Sequence, residues 1–236
     1  MAQADWCVGA QKDLAGVPGC YVYDFPYPHY GAKAGWISGM AQGEALSLLV
    51  RAYDATANTR YLSAAIGAAT PFQHLLESGG AVWRSASGDA VLEEVAIEPP
   101  SHILNGHIFA LWGLWDLMKV HAEPWVHELH EAALLTLRRR LPDYDSGFWS
   151  YYSALASRRG FRNLAVLKYH AFHIAQLRVT AAMTGDPYYR EVADRWRNYQ
   201  RSGSSRLRLL SNTVATIFCR MLTNADSVPG GARSIY

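Results

Sequence analysis

Apolar side chains recur with the 3.6-residue period of an α-helix along most of this 236-residue chain. Three junctions, ANTRYLSAA, AEPWVHELHEAA and TGDPYYREVA, share a short polar break before an aromatic residue that starts the next helix. The pattern predicts helical hairpins repeated every ~60 residues, which stack because no single pair buries its own apolar face. The predicted helices span residues 38–56, 59–77, 101–120, 124–141, 167–184 and 186–200.

The predicted fold is therefore mainly α, an incomplete α/α toroid of stacked helical hairpins with short β segments at the cleft. Strand-like composition with glycine or proline nearby marks residues 81–84, 91–97 and 147–152. Loops at the inner helix ends are expected to build the cleft. We divide the chain into an N-terminal tail (1–20), a toroid domain (21–203) and a C-terminal extension (204–236) that is expected to be a docked helix with a flexible end.

Composition excludes several classes of protein. With 50% hydrophobic residues and a net charge of +2, the chain is a folded globular protein whose overall charge gives no argument for nucleic-acid binding. Cys7, Cys20 and Cys219 are an odd number without a CxxC pair, so neither a disulfide framework nor a zinc site is predicted. No apolar run reaches the ~18 residues of a transmembrane helix. A complete chain of this kind is expected in the cytoplasm, and localisation is otherwise open.

The stretch LKYHAFHIAQL (167–177) carries an unusual polar face. Tyr169, His173 and Gln176 share one helical stripe, whereas Leu167, Phe172, Ile174 and Leu177 form the stripe that is expected to be buried. Upstream, the Tyr-, Pro- and Gly-rich segment 21–43 predicts an ordered loop that leads into a helix capped by Ser38 or Gly39. Its aromatic residues either pack on helix ends or stack on sugar rings.

Four segments in this order resemble the C-terminal catalytic domain of the glucuronyl C5-epimerases, which convert D-glucuronate to L-iduronate within heparan-type polysaccharides. The resemblance covers roughly residues 21–200, and MAQG and YHxxHIxQL are its most specific motifs. Larger members of the family carry β-rich modules, absent here, that help to form the cleft and the dimer. The segments are GWISGMAQGEALSLLVRAY (35–53), EEVAIEPPSHILNGHIFALWGLWDL (93–117), LPDYDSGFWSYY (141–152) and YHAFHIAQL (169–177).

Inversion at C5 removes a proton α to a carboxylate and returns it from the other face, so two proton-transfer groups must flank the sugar. The resemblance implies Glu94, Tyr152 and Tyr169 as the catalytic residues, with neither a metal nor a cofactor. Tyr151 is the alternative to Tyr152, because neighbours on a strand face opposite ways. A solvated Glu93–Glu94 pair on a strand edge is the plain alternative for Glu94.

Further residues are expected to bind the substrate, namely Trp36, Gln42, Asn105, Arg158, Arg159, Arg162 and His173. Gln42 and Asn105 lie at helix starts, where they would donate hydrogen bonds to a carboxylate or only stabilise the helix end. The arginines would grip anionic groups bidentately or form a solvated basic loop. His173 is expected to support Tyr169, and His170 to point elsewhere.

Two positions depart from the family pattern. Val95 stands where the family has a tyrosine, and Leu155 stands near the place of an arginine in the animal enzymes. The expected function is C5 epimerisation of D-glucuronate residues in a heparosan- or heparan-type polysaccharide. A uronate lyase and a non-catalytic carbohydrate-binding relic are the alternatives. The expected partner is an anionic uronate polymer, with neither nucleic acid nor a transmembrane anchor, and a homodimer is left open.

Overall fold

The computed structural model describes residues 1–154 and 163–213. Helices dominate this part of the chain, and residues 203–213 are also helical. The predicted helix 167–184 is confirmed at both ends. The helices are α1 (Ala2–Ala10), α2 (Gly39–Thr56), α3 (Thr59–Ala69), α4 (Leu104–Met118), α5 (Pro124–Arg140), α6 (Leu167–Thr184) and α7 (Pro187–Arg201).

Short antiparallel ribbons connect the helices. β1 (Lys12–Leu14) pairs with β2 (Val17–Cys20). Then β3 (Val22–Tyr23) pairs with β4 (Trp36–Ile37), and β5 (Val82–Arg84) pairs with β6 (Ala90–Leu92). Each ribbon is a separate two-stranded sheet, so the strands serve to shape loops at the helix ends.

The hairpins α2–α3, α4–α5 and α6–α7 each pack internally, as the repeated junctions predict. Alternate helices also meet, since α2 packs on α4 and α4 packs on α6. These three helices therefore form an inner layer, with α3, α5 and α7 outside it. The first residues of α4 and α6, together with the chain leading into α2, meet at the edge where the candidate site lies.

Caps fix where the inner and outer helices begin. Ser38 is the N-cap of α2, as predicted, and its hydroxyl accepts a hydrogen bond from the Ala41 N–H at 3.3 Å. Asn58 caps α3 in the same way, and Asp186 caps α7 ahead of Pro187. Helices α3 and α7 therefore start at the polar breaks that mark their junctions in the sequence, while α5 starts at Pro124 without a side-chain cap.

Some predicted boundaries are wrong. The helix predicted over 59–77 ends at Ala69 and continues as a 3₁₀ turn, because Pro71 lacks the N–H that an α-helix would need there. The strand predicted over 91–97 ends at Leu92. Residues 147–152 form isolated bridges, Asp145–Ser150 and Tyr151–Leu164, rather than a strand.

The backbones of α2 and α4 touch without a layer of side chains between them. A Cβ atom added to Gly43 would lie 2.4 Å from the Cα of Ala110. One added to Gly113 would lie 2.4 Å from the carbonyl oxygen of Gly43. Only glycine fits at these two positions, so α2 and α4 are locked at close range.

The N-terminal residues contain structure that the sequence periodicity did not predict. Helix α1 packs on α2 and α3, and its Cys7 is buried in the main core. The Tyr21 hydroxyl donates to the Cys7 carbonyl at 3.1 Å, and the Gln11 amide donates to the Ala64 carbonyl at 2.6 Å. The division between a tail (1–20) and a domain (21–203) stays a prediction.

Cys7 and Cys20 are free and buried, while Cys219 lies outside the described residues. Among the residues that the structure describes, no helix is both long enough and apolar enough to span a bilayer.

Candidate active site

Glu94 is the second residue after β6 and lies against the first turn of α4. Its Oε2 accepts a hydrogen bond from the Asn105 amide nitrogen at 3.0 Å, and its Oε1 accepts one from the Tyr152 hydroxyl at 3.2 Å. The carboxyl group is thus held by one group from α4 and one from the chain after α5. The geometry brings Tyr152, rather than Tyr151, to Glu94.

Gly106 makes room for this carboxylate. A Cβ atom at Gly106 would lie 2.3 Å from the Glu94 Cβ and 2.5 Å from its Oε2. Gly106 therefore leaves the space that the Glu94 side chain occupies, because any side chain at position 106 would displace Glu94.

Tyr169 joins the pair from the first turn of α6. Its ring meets the Tyr152 ring edge to face, with the centroids 4.8 Å apart. The backbone carbonyl of Tyr152 accepts a hydrogen bond from the Leu104 N–H at 3.1 Å, which ties this segment to the start of α4. The structure therefore places Glu94, Tyr152 and Tyr169 together, each partly exposed.

The surroundings of Glu94 raise the pKa of its carboxyl group towards neutral pH. Burial raises the pKa of Glu94 to about 7, and the charges of Glu44 and Glu93 add to the rise. The hydrogen bonds from Tyr152 and Asn105 favour the carboxylate and oppose it. Burial, followed by the Glu94 charge, also raises the pKa of Tyr152, which therefore stays protonated.

Aromatic side chains of the N-terminal loop border the site, and Tyr27, Tyr30 and Trp36 together are called the aromatic wall. Burial raises the pKa of Tyr27 and Tyr30, and the charge of Glu94 contributes to both shifts, which places these phenols near the carboxylate. Sequence reasoning did not single them out, although their loop drew attention through its aromatic density. Tyr27 and Tyr30 pack on a small buried cluster of Ala32, Val95 and Ile103, together with Trp36, Ile97 and Tyr152.

Trp36 belongs to the same wall. Its ring stacks on Tyr23 with the centroids 4.4 Å apart, and its Nε1–H donates to the Phe25 carbonyl at 2.9 Å. The stacking contact and the hydrogen bond are both made within the N-terminal loop and its ribbon, although the Trp36 side chain stays partly exposed. Substrate binding by Trp36 therefore stays a prediction. Val95, at the position where the resemblance implies a tyrosine, is fully buried in the cluster of Ala32, Val95 and Ile103.

A cavity of about 540 Å³ opens beside Tyr152 and Tyr169. Leu209 and Leu210, from the helical segment 203–213, line it together with Tyr152 and Tyr169. The described part of the C-terminal extension thus borders the candidate cleft. The remaining lining residues are Tyr27, His29, Asn163, Leu164, Ala165, Val166, Leu167, Asn212 and Thr213.

His173 lies behind Tyr152, with the two ring centroids 6.5 Å apart, and substrate binding by His173 stays a prediction. It is fully buried, and its Nδ1 lies 2.9 Å from the Ser150 hydroxyl. The Nδ1 of His170 contacts the same hydroxyl at 2.8 Å, so His170 does not point elsewhere. Burial lowers the pKa of His173 to about 3 and that of His170 to about 4, so both are neutral at pH 7.

The remaining stripe residues of α6 are split. Gln176 is buried and donates to the Asn105 carbonyl at 3.1 Å, so it supports α4 instead of facing the cleft. Of the apolar stripe, Ile174 and Leu177 are buried, whereas Leu167 and Phe172 are exposed.

Gln42 is also held by internal partners. Its amide nitrogen donates to the carbonyls of Gly19 and Ala68, at 3.0 and 2.8 Å, and its oxygen accepts from the Tyr21 N–H at 2.7 Å. Gln42 has no exposed surface and holds the chain ahead of α2, which is the structural alternative for this residue, and substrate binding by it stays a prediction. Asn105 is likewise buried, and its amide nitrogen donates to the Glu94 carboxylate.

The basic cluster Arg158, Arg159 and Arg162 lies outside the described residues, and so does Leu155. Within residues 1–154 and 163–213, no group of three or more His, Cys, Asp or Glu side chains is arranged to hold a metal ion.

Comparisons with known proteins agree with this architecture. A cellobiose 2-epimerase from Spirochaeta thermophila has a similar fold, with a TM-score of 0.55 at 16% sequence identity over 81% of this chain and 48% of that one. That neighbour is an α/α toroid, and the predicted fold class is thereby confirmed.

Two sequence relatives are 31% identical to the chain. One is the D-glucuronyl C5-epimerase of Caenorhabditis elegans, matched over 84% of this chain and 34% of its own length. The other is an uncharacterised protein of Methanocaldococcus jannaschii, matched over 74% of this chain and 56% of its own length. The chain thus spans about a third of one relative and just over half of the other.

The profile of one family, described as D-glucuronyl C5-epimerase C-terminus, matches residues 16–198. This range contains the first turns of α4 and α6 and every residue of the Glu94, Tyr152 and Tyr169 cluster. The chain belongs to the D-glucuronyl C5-epimerase C-terminal domain family.

Proposed function

We propose that the chain epimerises hexuronate residues at C5 within an anionic polysaccharide, converting D-glucuronate to L-iduronate. The observation that carries the proposal is the contact of the Glu94 carboxylate with the Tyr152 hydroxyl, beside the ring of Tyr169. Family membership and the epimerase relative support the same chemistry. A heparosan-type polymer is the substrate class that this relationship favours.

Glu94 is the base in the proposed reaction. Its carboxylate takes the C5 proton, and the electron pair of the C–H bond moves into an enolate of the substrate carboxylate. A base with a pKa of about 7 is half ionised near neutrality, which suits proton abstraction at that pH. The Tyr152 hydroxyl then turns from Glu94 to the enolate oxygen and stabilises its charge.

Tyr169 is the acid on the other face of the ring. Its hydroxyl delivers a proton to C5, which gives the inverted epimer and leaves a phenolate. Solvent then reprotonates the phenolate, and Glu94 returns its proton to solvent. Because the proton added is not the proton removed, the product should carry solvent hydrogen at C5.

Incubation with de-acetylated, N-sulfated heparosan in deuterated water tests this reaction. At low conversion, deuterium should appear at C5 of iduronate before it appears in the residual glucuronate, since separate groups remove and add the proton. Glu94→Gln should abolish exchange, and Glu98→Gln, an exposed change in the same loop, should leave it intact.

Other products would assign the site differently. An unsaturated uronate that absorbs in the near ultraviolet would show that the enolate expels the C4 oxygen, which is lyase chemistry. Polysaccharide binding without exchange, from a folded sample and across several uronate polymers, would identify a non-catalytic relic. Either result overturns the epimerase proposal.

A further inference from the structure

We infer that Glu93 is a positioning residue that fixes Glu94 and Tyr152 relative to each other through the turn 101–104. The inference rests on the proposed function, because it assigns Glu93 a task in that reaction. Sequence alone could treat Glu93 as half of a solvated acidic pair. In the structure it is fully buried, and its side chain points away from the cleft into a cage of donors.

The Glu93 carboxylate accepts hydrogen bonds from two consecutive residues. Its Oε2 accepts from the Ser101 N–H at 3.0 Å, the Ser101 hydroxyl at 2.7 Å and the His102 N–H at 2.9 Å. Its Oε1 contacts the Nδ1 of His102. A carboxylate offers only acceptors, so it matches a cage made only of donors.

His102 extends the cage to a cation. The Nη1 of Arg140 lies 3.5 Å from the His102 Nε2, and Arg140 has only donors, so the imidazole proton lies on Nδ1, towards Glu93. The hydroxyl of Tyr144 donates to the His102 carbonyl at 3.0 Å. His102 has a φ of 47°, an uncommon conformation for a side-chain-bearing residue that these contacts hold in place.

The turn held by Glu93 carries the segment of Tyr152. The Ser153 hydroxyl contacts the Ser101 carbonyl, and the Ala154 N–H donates to the His102 carbonyl at 3.1 Å. The bond from the Leu104 N–H to the Tyr152 carbonyl completes the attachment. Glu93 therefore fixes the backbone of Tyr152 through its side chain.

The backbone of Glu93 fixes the other partner. Its carbonyl accepts from the Gly39 N–H at 2.9 Å, and its N–H donates to the Ala81 carbonyl at 2.8 Å. Because Glu94 is the next residue, these backbone hydrogen bonds of Glu93 also fix the position of the Glu94 backbone. Because one buried residue anchors the chain on both sides of the Glu94–Tyr152 contact, a local shift of Glu93 would change that contact directly.

Glu93→Gln tests the inference, since an amide nitrogen would face the donors of Ser101 and His102. We expect kcat for C5 exchange to fall by about 10²-fold, the cost of a displacement near 1 Å, with KM changed little. Removal of the Glu93 charge should also lower the pKa of the Glu94 carboxyl, measured by ¹³C NMR.

The other groups that affect the pKa of Glu94 are Glu44, Asn105 and Tyr152. The charge of Glu94 in turn raises the pKa of Tyr23, Tyr27 and Tyr30. All stay unchanged in the variant.

Glu98→Gln is the matched control and should leave both readouts at their wild-type values. If Glu93→Gln does not fold, Ser101→Ala removes one donor of the cage and should give a smaller loss of kcat. An unchanged kcat and an unchanged Glu94 titration in a folded variant overturn the inference. Absence of exchange in the wild type is a separate result that removes the proposed function. The positioning role is then still tested by the ring resonances of Tyr152, which should shift in folded Glu93→Gln and stay unchanged in Glu98→Gln.

Discussion

Two adjacent glutamates show how local environment separates two roles. Glu93 is fully buried among donors, whereas Glu94 is partly exposed, with a pKa raised to about 7. The chain reverses the direction of the two side chains at the end of β6, so one faces the 101–104 turn and the other faces the cleft. A carboxylate that is held by four donors anchors the loop, and a carboxyl poised near neutrality can exchange a proton.

Tyr169→Phe is expected to reduce C5 exchange by about 10²- to 10⁴-fold, because it removes only the ionisable oxygen of the proposed acid. Stability should change by less than about 0.5 kcal/mol, since the ring remains and the residue is partly exposed. Exchange assays and thermal unfolding on the same samples measure both. Tyr151→Phe, the neighbour of Tyr152 that does not reach Glu94, is the matched control. Retained exchange in Tyr169→Phe would remove this residue from the mechanism.

Glu94→Gln is expected to stabilise the protein above neutral pH. The folded-state pKa of about 7 is higher than the ordinary value of 4.5, so the folded state binds more protons, and wild-type stability falls as pH rises between these values. A glutamine does not titrate, so the variant does not lose stability in this range. If the Asn105 amide flips, its unpartnered Oδ1 can accept a hydrogen bond from the new glutamine N–H group. The gain should be about 1–2 kcal/mol at pH 8 after allowance for solvent screening, and close to zero at pH 4.

Urea unfolding at both pH values measures that gain. Equal effects at pH 4 and pH 8 would show that Glu94 does not titrate near neutrality in the folded protein.

At the residue scale, the structure brings together the three residues named from the family's motifs, whereas it surrounds Gln42 and His173 with internal partners. Glu94, Tyr152 and Tyr169 were named because the resemblance carries the family's motifs, and their catalytic roles stay predictions. Gln42 and His173 carry similar polar atoms, but their partners are Gly19 and Ser150, far away along the chain. Such long-range partners leave no local pattern in one sequence.

Among the elements, those with their own start and stop signals were the most predictable. Gly185 ends α6 in the left-handed conformation, and the predicted end at residue 184 is confirmed. Helix α3 was predicted too long, because Pro71 lies in an apolar run that continues the helical period. The two-residue strands β3 and β4 are too short to carry an alternating pattern, so tertiary contacts alone define them.

Gly106→Ala is expected to reduce activity by about 10²-fold, because the new Cβ would displace the Glu94 side chain. Alanine normally stabilises a helix by about 1 kcal/mol relative to glycine, and this gain should be lost to the clash. Gly9→Ala in α1 is the matched control, with nothing within 4 Å of the added atom. It should keep full exchange and gain stability. Full activity in Gly106→Ala would mean that the Glu94 side chain tolerates displacement from the space beside Gly106.

At the scale of the whole molecule, the stack of hairpins brings three distant segments to one edge, and the C-terminal segment 203–213 reaches the same edge through Leu209 and Leu210. The order of the hairpins followed from the repeated junctions. The position of the C-terminal segment beside Tyr152 and Tyr169 could not be predicted in this way. An apolar stripe indicates that a helix packs on the domain, but it does not indicate on which surface.

A chain that ends at Ser202 tests this arrangement. Most of the described C-terminal segment is exposed and only Ser205 is buried, so the melting temperature should stay within a few degrees of the full chain. The cavity beside Tyr169 loses one wall, so KM for the polysaccharide should change while kcat is retained. A chain that fails to fold would show that residues beyond the predicted domain boundary belong to the core.

The glycine contact between α2 and α4 sets an order of local opening. Gly43 and Gly113 join these helices backbone to backbone, whereas α6 meets α4 through side chains such as Gln176 and Trp112. Amide protons of α2 and α4 should therefore exchange with solvent only in global unfolding, and those of α6 should exchange earlier in a partial opening. Tyr169 would leave the site in that partly open state while Glu94 stays in place, so the protein would lose one of the two proposed proton-transfer groups before it loses its fold.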